Sequence, residues 1–327
     1  MHILPKDPDD MPLPARERSV IVHCGEGWLS PVADGAFDFF TRLESHAFEQ
    51  GWELFAVAEG GQTSRLAIER GGAHLMIGAP ARYRAGVLHV APSYLWGFWY
   101  LDQVGVYWQS STRLADFPGE SMPWEPCQFF FDGVAGHMLG NNVSKRPQPE
   151  REGLQEAVAT VFCQEIEGHW PRSHYLTTEE IIRNAARAAG GGIVYVKCHP
   201  DQSEVMRGKI EALCEKDPNL RLSEASVHDL VAASGVVITQ NSAAGFEALL
   251  QHKPVVTCAK ADYHHATLTA RNEDQLRQMI REAPQTLASF EYHRYVTWFL
   301  AHRCLEPQKE DFASRAWARI MDSALPM

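Results

Sequence analysis

The stretch VVITQNSAAGFEALL, residues 236–250, contains a strand, a polar turn and the start of a helix in direct succession. Its first four residues are β-branched, as is common in the buried strands of parallel sheets. Gln240, Asn241 and Ser242 form the polar turn, and Gly245 permits a close approach of the backbone. A helix that begins directly after a strand directs unpaired N–H groups to the carboxyl edge of the sheet, where they favour an anion. The segment predicts a phosphate site, with simple capping of the helix by Asn241 or Ser242 as the alternative.

Strand-like and helix-like segments alternate along the rest of the chain, which is typical of a mostly parallel sheet. Strands are predicted at residues 19–23, 52–58, 74–78, 87–91, 158–163, 192–196, 236–239 and 254–257. Helices are predicted at residues 36–50, 177–189, 203–216, 227–233, 244–251, 273–281 and 312–324. Residues 140–151 are polar and contain proline, so they are predicted to link two halves. The pattern predicts an α/β fold of two Rossmann-like domains, residues 1–145 and 146–327, that face each other across a cleft as in the GT-B architecture.

Composition excludes several classes of protein. The chain has 327 residues and a net charge of −11, so a nucleic-acid binder with a basic face is not expected. No window is apolar enough to span a bilayer, and the N-terminus lacks a signal-peptide pattern, so a cytoplasmic location is expected. The seven cysteines are scattered without a CxxC pair, which favours reduced thiols, and no metal site is predicted.

A second polar cluster supports the phosphate site. Lys197, His199 and Pro200 follow the strand at residues 192–196, and parallel strands end at the same edge of a sheet. Lysine supplies a point charge for phosphate, and histidine supplies a hydrogen-bond donor near neutral pH. The alternative for His199 is a partly buried histidine with a purely structural role.

The C-terminal half resembles the capsule polysaccharide biosynthesis proteins, a family that includes retaining β-Kdo transferases using CMP-Kdo. The similarity covers about residues 158–269 and rests on VKCHPD, the short helix VHDLVAAS, and VVITQNSAAGFEALLQHKPVVTCAKADYHHATLT. It implies that residues 146–327 hold the nucleotide sugar and that residues 1–145 form the acceptor-side domain. The matching motifs imply that His199 and Ser242 contact the CMP phosphate. Glu247 would approach the ribose or cytosine, and Tyr263 would line the donor pocket.

The segment expected to carry the chemistry departs from the family pattern. Gln164 matches, but the aspartate that follows it in the retaining enzymes is missing, and His169 stands near its place. Glu165 or Glu167 would then supply a carboxylate, and His169 would act as a general base or phosphate ligand. The alternative places these groups on an exposed loop without a catalytic role. Whether transfer retains or inverts the anomeric configuration stays open.

Three functions remain open at this point. The first is a metal-independent glycosyltransferase that moves a sugar from a nucleotide donor to a saccharide or lipid-linked acceptor, without a further cofactor. A lipid-linked acceptor would bring the protein to a membrane surface as a peripheral component. The others are an epimerase or hydrolase of nucleotide sugars and a nucleotide-binding protein without catalysis. On the acceptor side, His23 and Glu26 are candidates, and residues 94–108 are either an aromatic platform for sugar or part of the core.

Overall fold

The computed structural model describes residues 1–7 and 13–324. The strands run, in chain order, β1 His2–Ile3, β2 Ser19–Cys24, β3 Glu53–Ala58, β4 Ala73–Ile77, β5 Val87–Pro92, β6 Trp99–Asp102, β7 Ala157–Phe162, β8 Val194–Lys197, β9 Leu220–Leu222, β10 Ser234–Thr239, β11 Val255–Thr257 and β12 Leu268–Thr269. The helices are α1 Leu29–Ala33, α2 Asp38–Glu49, α3 Gln62–Arg70, α4 Trp124–Gly140, α5 Thr178–Ala188, α6 Glu204–Lys216, α7 Val227–Ala233, α8 Ala243–Leu249, α9 Glu273–Thr286, α10 Tyr292–Thr297 and α11 Phe312–Ala324.

The chain forms two compact units. Unit 1 comprises the described residues of Met1–Ser93, Gly97–Leu114 and Leu300–Met327, and unit 2 comprises Tyr94–Trp96 and Ala115–Phe299. Each unit contains one six-stranded sheet with helices packed on it, which confirms the predicted class of two Rossmann-like α/β domains.

Unit 1 contains a sheet of strand order β1-β3-β2-β4-β5-β6, parallel except for the last pair, β5 and β6. Every residue of β2 is buried, as expected for a central strand covered on both faces. The core on one face is aromatic, because Phe39 of α2 stacks on Trp99 at 5.1 Å between ring centroids and meets Phe312 of α11 at 5.2 Å. The C-terminal helix α11 is therefore part of the core of unit 1.

This packing divides the chain differently from the predicted boundary between residues 145 and 146. Helix α11 returns to unit 1, and residues 115–145 join unit 2, where Thr297 donates a hydrogen bond of 3.1 Å to the Cys127 carbonyl of α4. The predicted linker, residues 140–151, is irregular as expected, yet its polar side chains bind other parts of unit 2. Long-range packing decides these boundaries, and local composition does not report it.

Unit 2 contains a fully parallel sheet of strand order β12-β11-β10-β7-β8-β9. The two central strands, β10 and β7, carry buried β-branched residues, which fits their position between layers of helices. Helix α5 opens with the expected capping box, because the Thr177 hydroxyl accepts from the Glu180 N–H and the Glu180 carboxylate accepts from the Thr177 N–H. All six strands point their carboxyl ends to one edge, called here the polar edge, where residues 163–167, 198–203 and 240–242 lie.

The aromatic stretch at residues 94–108 belongs mainly to the core. Tyr94, Phe98, Trp99 and Tyr100 are all buried, whereas Trp96 is exposed and the last part, around Tyr107, is half-exposed. Over the parts of the chain that the structure describes, no helix combines the length and apolar character required to cross a membrane.

Candidate functional site

The turn between β10 and α8 has the local structure that the sequence predicts. Strand β10 ends at Thr239, Gln240 and Asn241 form the turn, and Ser242 caps α8 by accepting a hydrogen bond of 3.3 Å from the Ala244 N–H. Ser242 remains half-buried at the polar edge. The capping alternative is thus realised, and the Ser242 hydroxyl keeps its own proton for a further hydrogen bond.

Gln164 fixes this turn to the strand beside it. Its Oε1 accepts hydrogen bonds from the Asn241 N–H (2.8 Å) and the Thr239 hydroxyl (3.2 Å). Its Nε2 donates to the Asn241 side-chain oxygen at 3.2 Å. Because both ends of its amide are engaged, Gln164 positions the turn rather than reaching outward.

The buried Gln240 and the half-buried Glu167 bind each other at the polar edge. One Glu167 oxygen, Oε1, accepts from the Thr178 N–H (2.7 Å), the Thr178 hydroxyl (2.9 Å) and Gln240 Nε2 (3.1 Å). The other oxygen, Oε2, and Gln240 Oε1 are both buried and have no hydrogen-bond partner among the described residues. Glu167 therefore caps helix α5 with one oxygen and keeps the capacity to accept at the other.

Glu165 and His169 lie outside this network. Glu165 is exposed and accepts from the N–H (2.7 Å) and the hydroxyl (2.8 Å) of Ser203, the N-cap residue of α6. These hydrogen bonds lower the pKa of the Glu165 carboxyl. His169 is exposed on the loop between β7 and α5. Of the four predicted catalytic residues, the structure thus brings only Gln164 and Glu167 to the β10–α8 turn.

Lys197 does not act as a free charge at the polar edge. Its ammonium donates to the carbonyl oxygens of Glu224 (3.1 Å) and Ala225 (2.9 Å) and lies 3.9 Å from the Glu224 carboxylate. Burial lowers the pKa of Lys197. In this arrangement the lysine stabilises the loop that leads into α7, which places it with a structural role rather than at the predicted phosphate site.

His199 is oriented as a hydrogen-bond donor. Its ring Nδ1 accepts from the Asp201 N–H at 3.1 Å, and its own backbone N–H donates to Gln202 Oε1 at 3.0 Å. Burial lowers the pKa of the half-buried imidazole, which favours the neutral form. Because Nδ1 accepts a hydrogen bond, this neutral ring carries its proton on Nε2. Gln202 also donates to the Gln164 carbonyl at 3.4 Å, which connects the His199 loop to the β10–α8 turn, whereas Pro200 is exposed.

Glu247 is a buried carboxyl in α8, with only 2% of the residue exposed. Its Oε1 accepts from the Ser144 hydroxyl at 2.8 Å, and its Oε2 has no partner among the residues described. Burial raises the pKa of Glu247 to about 7, partly opposed by the Ser144 hydrogen bond and the Lys145 charge. A carboxyl of this kind is half protonated near neutral pH, so it can donate as well as accept.

The segment Ser144-Lys145-Arg146 adds basic groups that the sequence reading assigned to a linker. Ser144 binds Glu247 as described, and Arg146 forms an ion pair with Asp201, two residues after His199. In the sequence, the only indication of this role is that Lys145 and Arg146 are adjacent cations in a chain of negative net charge. Their position beside α8 and the β8–α6 loop could not be read from their neighbours in sequence.

Tyr263 and Gly245 support the turn from behind. The Tyr263 hydroxyl donates to the Ser242 carbonyl at 2.8 Å, and burial raises the pKa of this tyrosine well above its ordinary value. A Cβ added at Gly245 would lie 2.8 Å from the Tyr263 hydroxyl and 2.9 Å from Thr239 Cγ2. Gly245 is therefore required for tight packing of Tyr263, and neither residue opens toward a ligand.

The polar edge offers hydrogen-bond donors for an anion. No group of three or more His, Cys, Asp or Glu residues within the described ranges has a geometry suited to a metal ion. The seven cysteines are free thiols, and all but Cys214 are buried. Donors available for an anion are the Ser242 hydroxyl and the His199 Nε2–H.

Comparison with known proteins finds one matching family model. Residues 164–303 match the model of the family described as "Capsule polysaccharide biosynthesis protein", and this span includes residues 164–167, 198–203 and 240–242 of the polar edge. The predicted family resemblance is confirmed. No curated protein matches the chain.

Solved structures with a similar fold include two of KpsC from Thermosulfurimonas dismutans. The beta Kdo 2,7 transferase is 14% identical with a TM-score of 0.50, covering 82% of this chain and 90% of that chain. The beta Kdo 2,4 transferase is 17% identical with a TM-score of 0.49, at the same coverage. The UDP-GlcNAc 2-epimerase of Methanocaldococcus jannaschii is 8% identical with a TM-score of 0.39, covering 93% of this chain and 99% of that chain. At these identities the likeness to the 2,7 transferase is one of fold.

Proposed function

We propose that this protein is a glycosyltransferase of surface polysaccharide biosynthesis that takes its sugar from a nucleotide donor, with CMP-Kdo as the donor to test first. The observation that carries the proposal is that the family match, residues 164–303, coincides with the polar edge of unit 2. The KpsC structure with the same fold is a Kdo transferase, which supports the choice of donor.

In this proposal the donor phosphate binds at the β10–α8 turn. The Ser242 hydroxyl and the His199 Nε2–H would donate to its oxygens, and Glu247 with Ser144 would contact the nucleoside. Catalysis then comes from holding the donor and from stabilising the negative charge that develops on the departing nucleotide. These are contributions of protein groups, so the proposal requires neither a metal nor a further cofactor.

The two carboxylates of the β7–α5 loop, Glu165 and Glu167, have different roles in this mechanism. Glu165 is fully engaged in capping α6, whereas Glu167 keeps Oε2 without a protein partner. Glu167 is therefore the carboxylate of this loop that we assign to the chemistry, and His169 is the exposed group that would exchange a proton with the acceptor.

The engagement of both carboxylates also favours a second candidate, a nucleotide-binding protein without transfer activity. Glu167 already accepts three hydrogen bonds at Oε1, which limits its freedom to attack a sugar. The two candidates share the donor site and differ only in turnover.

Calorimetric titration with CMP tests the shared site. Ser242→Ala and His199→Ala should each weaken CMP binding by about 10-fold or more, since a hydrogen bond to a charged group contributes about 1.5–3 kcal/mol. Ser203→Ala removes the same kind of helix cap from α6 and serves as the matched control. If both Ser242→Ala and His199→Ala bind CMP as tightly as the wild type, the donor phosphate does not bind at this turn.

Incubation with CMP-Kdo and a saccharide acceptor, followed by mass spectrometry, separates transfer from binding. A glycosyltransferase yields an extended acceptor and loses this product in Glu167→Gln while CMP binding persists. CMP binding without product from any of several nucleotide sugars would favour the second candidate.

A further inference from the structure

A cavity of about 270 Å³ lies within unit 1, at the carboxyl ends of β4 and β5. Strand β2 leads to β3 on one side and β4 leads to β5 on the other, so the switch point lies between β2 and β4, whose following loops supply Trp28 and Gly78 to the lining. Ligands of open α/β sheets bind outside the carboxyl ends of the strands at such a switch point. Among the groups that line the cavity are Trp28, Pro80, His89, Pro92, Tyr107 and Gln109.

Trp28 forms a rigid wall of this cavity. A Cβ at Gly78 would lie 2.2 Å from Trp28 Cδ1, so the indole rests directly on the backbone of the loop after β4. Gly78 has a φ of +61°, which favours glycine for a second reason. On another side Phe37 contacts the indole at 5.5 Å between ring centroids. The ring is held in place before any ligand arrives.

Tyr107 forms a second aromatic wall under backbone strain. Its φ of 54° lies in the left-handed region, which is unfavourable for an aromatic residue. The strained residue is retained because its hydroxyl donates to the Pro92 carbonyl at 2.8 Å and its ring meets Tyr100 at 5.4 Å. Strain of this kind concentrates at binding sites, where it holds a side chain in a required position.

The side chains that line the cavity are uncharged. His89 has both ring nitrogens engaged, since Nε2 accepts from the Arg82 N–H at 2.9 Å and Nδ1 donates to the Asp102 carbonyl at 3.2 Å. Burial lowers the pKa of His89, so the ring is uncharged at neutral pH. None of the described residues that line the cavity carries a formal charge at that pH. An anionic ligand would lose its hydration here without gaining a counter-charge.

Gln109 is a polar residue in the lining of the cavity, and it favours a ligand that can form hydrogen bonds. It is half-buried in the lining, and its side-chain amide makes no hydrogen bond to any residue that the structure describes. An amide offers both donors and an acceptor, which matches a sugar hydroxyl. The volume is near the lower end of the roughly 300–1,000 Å³ typical of ligand pockets, so it suits one ring rather than a chain of rings.

We propose that this cavity binds one uncharged sugar ring, with its apolar face against Trp28 and Tyr107 and a hydroxyl at Gln109. We further assign this sugar ring to the acceptor of the transfer reaction. That assignment rests on the proposed function, because only a transferase has an acceptor. The neutral lining sets the class of that acceptor as an uncharged saccharide and excludes Kdo from this position.

Saturation-transfer NMR on the full chain, without nucleotide, tests the proposal. The probes are methyl glycosides of glucose and N-acetylglucosamine as neutral rings, the methyl glycoside of Kdo as an anionic ring, and octanol as an apolar chain. We expect saturation of the neutral rings and at least 10-fold weaker binding of the Kdo glycoside. Gln109→Leu and Tyr107→Gly should each weaken the neutral ring at least 5-fold, whereas Trp96→Ala, which removes an exposed tryptophan of unit 2, should have no effect.

Several results would overturn the proposal. These are equal binding of the Kdo glycoside, displacement of the neutral ring by octanol in the wild type, and unchanged sugar binding in both the Gln109 and Tyr107 variants. Gln109→Leu keeps the aromatic walls, so the test stands even where Tyr107→Gly fails to fold. CMP titration of the same samples separates the two hypotheses, since loss of the sugar with intact CMP binding contradicts this inference alone. Sugar binding without CMP binding contradicts the proposed function alone.

Discussion

The candidate sites at the carboxyl edges of the two sheets differ in chemistry although the sheets have similar architecture. In unit 2 the polar edge carries Gln164, Glu167 and Gln240, which hydrogen-bond to the surrounding backbone and to one another. In unit 1 the corresponding edge is formed by Trp28 and Tyr107 around an uncharged cavity. The shared fold places a ligand site at each edge, and the residues directly after the strands decide what each site can hold.

The buried ionisable groups differ between the units in the same sense. Unit 1 buries a pair of neutral histidines, with His23 Nε2 3.0 Å from His74 Nδ1 and His23 Nδ1 2.8 Å from the Ser64 hydroxyl. Unit 2 buries a histidine of the same kind, His228, and in addition the carboxyl of Glu247. Burial favours the uncharged form of both kinds of group, so the histidines and Glu247 respond to pH in opposite directions.

Acidification should have the largest effect, through the histidines of unit 1. Burial lowers the pKa of His23 to about 3 and of His74 to about 4, so the unfolded chain binds these protons first as the pH falls below 6.5. Their contribution is complete above pH 6.5 and is lost toward pH 4. At pH 5 the loss is about 2 kcal/mol for each histidine, since one pKa unit corresponds to 1.36 kcal/mol.

Hydrogen exchange read by mass spectrometry locates this loss. Between pH 8 and pH 5, and after correction for the intrinsic exchange rate, peptides of β2 and β4 should lose more protection than peptides of β7 and β10. His74→Gln removes one titrating group and should reduce the loss by about half. Equal loss of protection in both units would contradict the assignment.

Raising the pH should act on unit 2 through Glu247. Burial raises the pKa of this carboxyl from 4.5 to about 7, so the folded state holds the proton more tightly than the unfolded state. The stability it contributes is complete below pH 4.5 and is lost as the pH rises through 7. Glu247→Gln should therefore be more stable than the wild type at pH 8 by up to about 3 kcal/mol, with no advantage at pH 4.

Urea unfolding of both proteins at the two pH values measures this difference. Ser144→Ala is the companion variant, because removal of its hydrogen bond should raise the pKa of Glu247 further and steepen the loss. Parallel pH profiles for the wild type and Glu247→Gln would show that this carboxyl titrates normally in the folded state.

Sequence patterns predict the polar edge better than they predict its environment. The segment at residues 236–250 has the expected strand, turn and capped helix, because β-branched burial and N-capping are local signals. Lys197 is the last residue of β8, and the sequence does not show that its side chain turns to the Glu224 carbonyl instead of the ligand edge. The positions of Ser144 and of helix α11 depend on contacts across more than 100 residues, which no local pattern reports.

Glu167 and Glu165 provide the next test, since they are neighbours in sequence with different burial. Glu167→Ala leaves the Thr178 N–H without its acceptor and removes one of two acceptors of Gln240, at a cost of about 2 kcal/mol in the free energy of unfolding. Glu165→Ala removes only an exposed cap from α6 and should cost less. Urea unfolding measures the stability of both variants. A larger loss of stability in Glu165→Ala than in Glu167→Ala would contradict the expectation that Glu167 contributes more to folding.

The smallest expected effect comes from two glycines in helices of unit 2. An alanine at Gly133 of α4 meets nothing within 4 Å, so Gly133→Ala should stabilise the protein by about 0.5–1 kcal/mol through helix propensity. The same gain applies to Gly245→Ala in α8, but there the new methyl group would contact the Tyr263 hydroxyl at 2.8 Å. Overpacking typically costs about 1–3 kcal/mol, so we expect a net loss of about 1 kcal/mol.

Thermal unfolding of Gly133→Ala, Gly245→Ala and the double variant Gly245→Ala with Tyr263→Phe measures this balance. Removing the Tyr263 hydroxyl relieves the closer contact but leaves the contact with Thr239 Cγ2 and breaks the hydrogen bond to the Ser242 carbonyl. The double variant should therefore regain only part of the lost stability and bind CMP more weakly than the wild type. If the double variant matched the wild type in both thermal stability and CMP affinity, Tyr263 would stabilise helix α8 without affecting the ligand geometry of the turn. Recovery of stability alone would show that the β10–α8 turn depends on this hydrogen bond for its ligand geometry, a dependence that the aromatic edge of unit 1 does not share.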